Sequence, residues 1–110
     1  MSEAALDRAF AALADPQRRR VVELLRERPR RAGELAAAAG VTAPAMSRHL
    51  RALRDGALVE EARGESADAR VRVYQLRAEG MEELKRWLEE TERLWSEQLA
   101  AFKRHVEREG

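Results

Sequence analysis

Along the first half of the chain, apolar residues recur at helical spacing in four short blocks, separated by capping and breaking residues. Leu6, Phe10 and Leu13 share one face of a helix over residues 3–13. Asp15-Pro16 then supplies an N-cap and a proline for the first helical position. The helix it opens carries Val21, Val22, Leu24 and Leu25 to about Arg28, and Pro29 marks the exit. AGELAAAA, residues 32–39, reads as a short third helix closed by Gly40. Thr42 caps a fourth that runs to about Asp55 and stops at Gly56. The pattern then shifts: ALVEEAR and RVRVYQL read as two strands around GESADA, a loop of Gly, Ser and Asp. Helical spacing resumes at about Glu79 and holds to about residue 107.

The expected fold is therefore mainly α with a small β-hairpin, in the order α-α-α-α-β-β-α, as a single domain over residues 1–110. The helices at 32–39 and 42–55, joined by a tight Gly-Val-Thr turn, fit a helix-turn-helix, and the hairpin at about 57–76 fits a wing. In the fourth helix Met46, Leu50 and Leu53 form the apolar stripe, while Pro44, Ser47, Arg48 and Arg51 form a small, polar and basic side. That division suits a recognition helix, which anchors one face in its own core and offers a slim face to a major groove about 12 Å wide.

On this reading Ser47 and Arg48 reach base edges and Arg51 meets phosphate. Thr42, Ala43 and Pro44 stand at the helix start, where backbone N–H groups meet phosphate. Arg63 and Arg70 flank the wing loop and face a minor groove or its phosphates, although Glu65 and Asp68 at the tip oppose deep insertion. His49, at the edge of the apolar stripe, is expected to pack or hydrogen-bond first and to contact DNA second. Arg18, Arg19, Arg20, Arg30 and Arg31 are each read as surface charges before phosphate contacts.

The last helix carries Leu84, Leu88, Thr91, Trp95, Leu99, Phe102 and Val106 at steps of three and four. A helix of about 28 residues extends about 42 Å, more than a domain of this size covers alone. The surplus apolar length requires a partner. A dimer seam through Leu88, Trp95, Leu99, Phe102 and Val106, with Leu6 and Phe10 of the first helix, explains it better than a ligand pocket. Met81, Trp87 and Leu94 are expected to pack toward the domain's own core or the first helix.

Composition narrows the possibilities further. The 110 residues contain no cysteine, which removes disulfides, thiolate metal sites, cysteine nucleophiles and redox switches. MSEAALDRAF lacks the basic-then-apolar layout of a signal peptide and no apolar run is long enough to span a bilayer, so a soluble cytoplasmic protein without membrane contact is expected. The net charge of +1 hides an uneven distribution. Residues 16–54 hold ten arginines against three glutamates, a net +7, while residues 1–15 carry −2 and residues 55–110 carry −4. A basic middle between acidic ends suggests one anion-facing region; the plainer alternative is an arginine-rich composition with no partner behind it. An enzyme is the weakest option, because only two histidines are present, far apart, and no phosphate-cradling glycine loop occurs.

LADPQRRRVVELL, then GELAAAAGVTAPAMSRHLRALRDGALVE, then RVYQL, together resemble the ArsR/SmtB family of bacterial winged-helix repressors over about residues 4–76, and the long last helix matches in kind. The resemblance implies a homodimer joined through its first and last helices and bound to a palindromic double-stranded DNA operator. Metal-sensing members carry a Cys-x-Cys type site near the third helix or His/Asp/Glu clusters on the last. Here the third helix reads GELAAAAG, and the only histidines are His49 and His105. The resemblance is to a branch without metal sites and with no cofactor. Zinc, nickel, arsenite and mild peroxide are expected to leave operator binding unchanged, so control falls to protein concentration or to an unidentified organic effector between the long helices. The alternative from another class is a winged-helix dimer acting as a protein-interaction scaffold without DNA affinity.

Overall fold

In the computed structural model, which describes residues 2–62 and 72–109, the chain forms α1 (Glu3–Leu13), α2 (Pro16–Glu27), β1 (Arg30–Arg31), α3 (Ala32–Ala39), α4 (Ala43–Asp55), β2 (Val59–Glu61), β3 (Val73–Leu76) and α5 (Ala78–Glu109). The caps are those the residue types dictate. Ser2 Oγ accepts from the Ala5 N–H at 3.1 Å, Asp15 Oδ1 from the Gln17 and Arg18 N–H groups at 2.8 and 3.2 Å, and Thr42 Oγ1 from the Ala45 N–H at 3.3 Å. Pro16 starts α2 where no N–H is needed. Gly40 ends α3 in the left-handed region at φ 68°, so the chain turns directly into the cap of α4.

Two points correct the sequence reading. The β layer is three-stranded and antiparallel in the order β1-β3-β2, not a lone hairpin: Arg30 and Arg31 pair with Tyr74 and Val73, while Val59, Glu60 and Glu61 pair with Leu76, Gln75 and Tyr74. The strands are also shorter than expected. Ala57 and Leu58 precede β2, with Ala57 at φ 59° in the turn that follows α4. The loop between β2 and β3 and the start of RVRVYQL lie outside the described residues.

One core serves all of these elements. Val21, Leu24 and Leu25 of α2, Leu35 of α3, and Met46, Leu50 and Leu53 of α4 are buried together with Leu58, Val59 and Tyr74, and Ala9 and Ala12 let α1 lie close against them. Only the start of α5 joins this core. Gly80 is buried, Met81 and Leu84 are partly buried against the cluster, and Trp87 packs edge-on to Phe10 of α1 with ring centroids 4.9 Å apart. Leu84, the first residue of the apolar stripe, thus belongs to the protomer's own core. Leu94, expected to turn inward, is exposed. The stripe was assigned without knowing where the helix leaves the domain. The helix keeps going, and it stretches the molecule to 68 Å against 26 and 25 Å in the other directions.

Gly80 seats α5 by letting its first turn touch the carbonyl of Ala57; a Cβ there overlaps the Ala57 carbonyl oxygen and carbon, both backbone atoms that cannot swing aside. Gly80→Ala is therefore expected to destabilise the fold by about 1–3 kcal/mol in urea unfolding. Gly33→Ala in α3, where nothing lies within 4 Å, is expected to be neutral or to stabilise by up to about 1 kcal/mol. Equal responses from the two variants would contradict the seat.

Candidate nucleic-acid interface

The candidate interface is the face of α4 opposite its buried stripe. Because Met46, Leu50 and Leu53 are nearly inaccessible, the helix cannot roll, and Ser47, Arg48 and Arg51 are held on the outside. Among the described residues neither Arg48 nor Arg51 has an ion-pair or hydrogen-bond partner, so both guanidiniums present their full set of donors to solvent. Thr42, Ala43 and Pro44 are likewise exposed at the helix start. That start offers less to an anion than expected. Pro44 has no N–H, the Ala45 N–H goes to the Thr42 hydroxyl, and the Met46 N–H goes to the Thr42 carbonyl at 2.9 Å. Among the described residues, Ala43 is left as the first-turn amide without a bond inside the protein. Arg63 and Arg70, placed at the wing, lie outside the described residues.

The other arginines of the basic segment separate by what they touch. Arg19 Nη1 donates to the Leu13 and Ala14 carbonyls at 2.7 and 3.1 Å, capping α1 from outside. Arg30 Nε donates to the Leu24 carbonyl at 3.2 Å, and its Nη2 pairs with Glu27 at 2.6 Å, tying β1 to the end of α2. Arg28 pairs with Glu34, and Arg20 with Glu23. Six of the ten arginines of the +7 segment are thus engaged by groups within the fold; among the described residues Arg26 on α2 and Arg31 on β1 are without side-chain partners, as are Arg48 and Arg51 on α4.

His49 is fully engaged as well. Arg18 Nε donates to its Nδ1 at 3.2 Å, which leaves the proton on Nε2, facing Gln17 Oε1 at 2.8 Å. The ring bridges α4 to the first turn of α2, whose cap is Asp15. Partial burial pushes the Asp15 carboxyl up. The Arg18 and Gln17 N–H bonds and the nearby His49 and Arg18 side chains outweigh it and hold the group below the ordinary aspartate value. At β1 and α3, the Arg28 guanidinium and the Arg31 N–H hold the Glu34 carboxyl low in the same way. His49 is a fastening of α4, as its position at the edge of the stripe suggested.

Beside α4 the surface sinks into a trough that sequence reasoning did not find. A recess of about 410 Å³ between α4 and the sheet is lined by Ser47, Leu50, Arg51, Arg54, Arg72 and Tyr74, with Asp55 at one end. A second of about 440 Å³ shares Ser47, Arg72 and Tyr74 and continues to Arg31, Gly33 and Glu34 at the start of α3. The signal was present: Arg72 and Tyr74 are two apart in the extended run RVRVYQL, the spacing of one strand face, and Arg54 follows Arg51 by three on the helix. What joins them is strand pairing distant in sequence.

Among the described residues no three His, Cys, Asp or Glu side chains are grouped to hold a metal. His105 Nε2 lies 3.5 Å from Glu109 Oε1 on the exposed end of α5. No described helix is long and apolar enough to cross a membrane.

Comparison with known proteins agrees with this geometry. Residues 15–61, from the cap of α2 through β2, match the family model for bacterial regulatory proteins of the arsR family. The chain is 39% identical over 104 residues to the HTH-type transcriptional regulator Rv2034 of Mycobacterium tuberculosis, covering 94% of this chain and 91% of that protein. It superposes on an ArsR-like transcriptional regulator from Rhodococcus sp. RHA1 with a TM-score of 0.74, at 31% identity and with 92% of each chain covered. It also superposes on the homodimeric winged helix-turn-helix DNA-binding domain Mb0332 of Mycobacterium bovis, a possible ArsR-family regulator. There the TM-score is 0.63 at 25% identity, covering 83% of this chain and 86% of that fragment.

The lowered Asp15 and Glu34 carboxyls have a measurable consequence. Each binds a proton less readily folded than unfolded, so its stabilising bonds are complete above the ordinary carboxylate range and are lost as pH falls through and below it. The thermal midpoint is expected to fall as pH drops below about 4, and Asp15→Asn to start lower at pH 7 but fall less steeply. An unchanged acid profile in Asp15→Asn would contradict the assignment.

Proposed function

The chain belongs to the bacterial arsR family of regulatory proteins, and from that premise we propose that it works as a homodimeric repressor whose two α4 helices read the halves of a palindromic operator. It is a transcriptional regulator with a DNA-binding winged helix-turn-helix, not an enzyme. The observation that carries the proposal is the split of α4 into a locked apolar face and an outward face whose two arginines are unspent.

In this reading Ser47 and Arg48 enter the major groove, where arginine pairs with guanine through two donors. Arg51, one turn further along, takes a phosphate, as do the amide of Ala43 and the hydroxyl of Thr42, with Pro44 packed beside them. Arg63 and Arg70 bring the wing to the flanking backbone. Two α4 helices meet one face of a duplex when they stand about one helical turn, 34–36 Å, apart. A two-fold partner supplies the second α4.

The partner is a second copy, held along α5 and α1. Leu88, Trp95, Leu99, Phe102 and Val106 are all about half exposed or more in the protomer, and Phe10 lies beside them with Leu6. Four of the five α5 positions are symmetric about position 97: an antiparallel pairing sets Leu88 against Val106 of the partner subunit and Trp95 against Leu99 of the partner subunit, while Phe102 falls opposite position 92. Charge agrees. Residues 82–97 carry six glutamates against three cations, while residues 98–109 carry three cations against two glutamates, so antiparallel helices oppose unlike ends. Without a thiolate or a second well-placed imidazole, control comes from protein level or from an organic ligand bound between the long helices, not from metal.

The test is a fluorescence-anisotropy titration of a duplex recovered by selection from a random pool. Arg48→Ala is expected to cost about 1–3 kcal/mol on the selected duplex and to relax preference at one base pair per half-site. Arg51→Ala is expected to weaken selected and random duplexes alike and to flatten the salt slope by about one unit. Zinc at matched ionic strength is expected to leave the wild-type curve in place. Equal losses on both duplexes for Arg48→Ala would make it a phosphate contact, and failure of the wild type to bind any duplex at low salt would leave the protein-interaction scaffold.

A further inference from the structure

Arg54 and Arg72 come from the end of α4 and the entry to β3, yet both donate to one oxygen. Arg54 Nη1 lies 3.2 Å and Arg72 Nη1 3.3 Å from Glu61 Oε1 on β2. The three side chains remain open to solvent, at 49%, 54% and 35% exposure. One carboxylate between two guanidiniums leaves a surplus positive charge on the wall of the trough beside α4. The neighbouring lining groups Ser47, Arg51 and Tyr74 are hydrogen-bond donors. Among the described residues the trough is also lined by the carboxylates Asp55 and Glu34, and Arg28 already holds Glu34.

A planar guanidinium matches the spacing of two phosphate oxygens as well as it matches a carboxylate. Solvated ion pairs of this kind contribute little to stability. A backbone phosphate arriving beside the recognition helix therefore competes with Glu61 on nearly equal terms, and release of condensed counterions from the duplex tips the exchange toward DNA. We propose that Arg54 and Arg72 form a second phosphate clamp beside the recognition helix, and that Glu61 occupies it in the free protein as an intramolecular stand-in for the phosphate. The clamp rests on the DNA-binding reading of α4. It adds two contacts on the sheet side of the helix and one residue, Glu61, that sets how readily they are made.

The experiment compares the full-length wild type with Glu61→Gln, Arg54→Ala/Arg72→Ala and the triple variant, titrated into a random-sequence duplex over a range of NaCl concentrations. Glu61→Gln is expected to bind about three- to tenfold tighter at low salt, and Arg54→Ala/Arg72→Ala to lower the salt slope by about one to two units. In the background without the two arginines, Glu61→Gln is expected to bring no gain. This last comparison separates competition for the clamp from general relief of charge repulsion, which would persist with the arginines gone. A persisting gain, a loss of affinity in Glu61→Gln, or an unchanged slope in the arginine variant would each overturn the clamp while leaving DNA binding by α4 intact. A wild type that binds no duplex would remove both. Thermal midpoints within about 2 °C of wild type for Glu61→Gln confirm that the fold is unaffected, as solvated pairs imply.

Discussion

Burial of Met46, Leu50 and Leu53 is the constraint on which the rest of the domain depends. A helix of 13 residues is marginal in water by itself, so α4 exists because its apolar stripe is covered by α2, α3 and the chain around Leu58. Each large side chain so buried is worth about 1.5–3 kcal/mol. Rolling α4 by one position would expose part of that stripe and drive Ser47 or Arg51 inward, at a cost no surface contact offsets. The same packing that makes the helix therefore fixes which residues it displays. The Arg18–His49–Gln17 bridge and the bond from Arg8 Nε to the Asp55 carbonyl at 3.3 Å then hold the helix at its middle and at its C-terminal end, against α2 and α1.

The arginines show how far charge alone leads. The segment from 16 to 54 looks uniformly cationic in sequence, but Arg18, Arg19 and Arg30 are engaged by a ring nitrogen or by carbonyl oxygens, and Arg20, Arg28 and Arg54 by carboxylates. Among the described residues Arg26, Arg31, Arg48 and Arg51 have no side-chain partner, and of these Arg48 and Arg51 share one outward face of α4. A charge count overstates the interface several-fold; burial and partners define it.

The helices, their caps and the helix-turn-helix were legible because each rests on local signals: apolar spacing, Asp15-Pro16, Gly40, Thr42. Ser47, Arg48 and Arg51 were legible for the same reason, since a single helical wheel separates them from Met46 and Leu50. Strand β1 was not legible. Two arginines have no periodicity, and what makes them a strand is pairing with residues more than forty positions away. The trough was missed on the same ground, because Arg54, Glu61 and Arg72 meet only once β2 and β3 are paired. Leu94 was misassigned because a wheel gives the faces of α5 but not the point at which it leaves the core.

That departure point gives the structure its unfinished side. Beyond Trp87 the helix runs free of its own domain, with Trp95 60% and Phe102 66% exposed, and the proposed homodimer covers this surface with a second copy. Sedimentation equilibrium at micromolar concentration tests the requirement most directly. The account predicts twice the 12.5 kDa chain mass for the wild type and the mass of a single chain for Trp95→Glu and Phe102→Glu, with α-helical content retained. A wild type that sediments as a monomer, or two variants that both remain dimers, would contradict it.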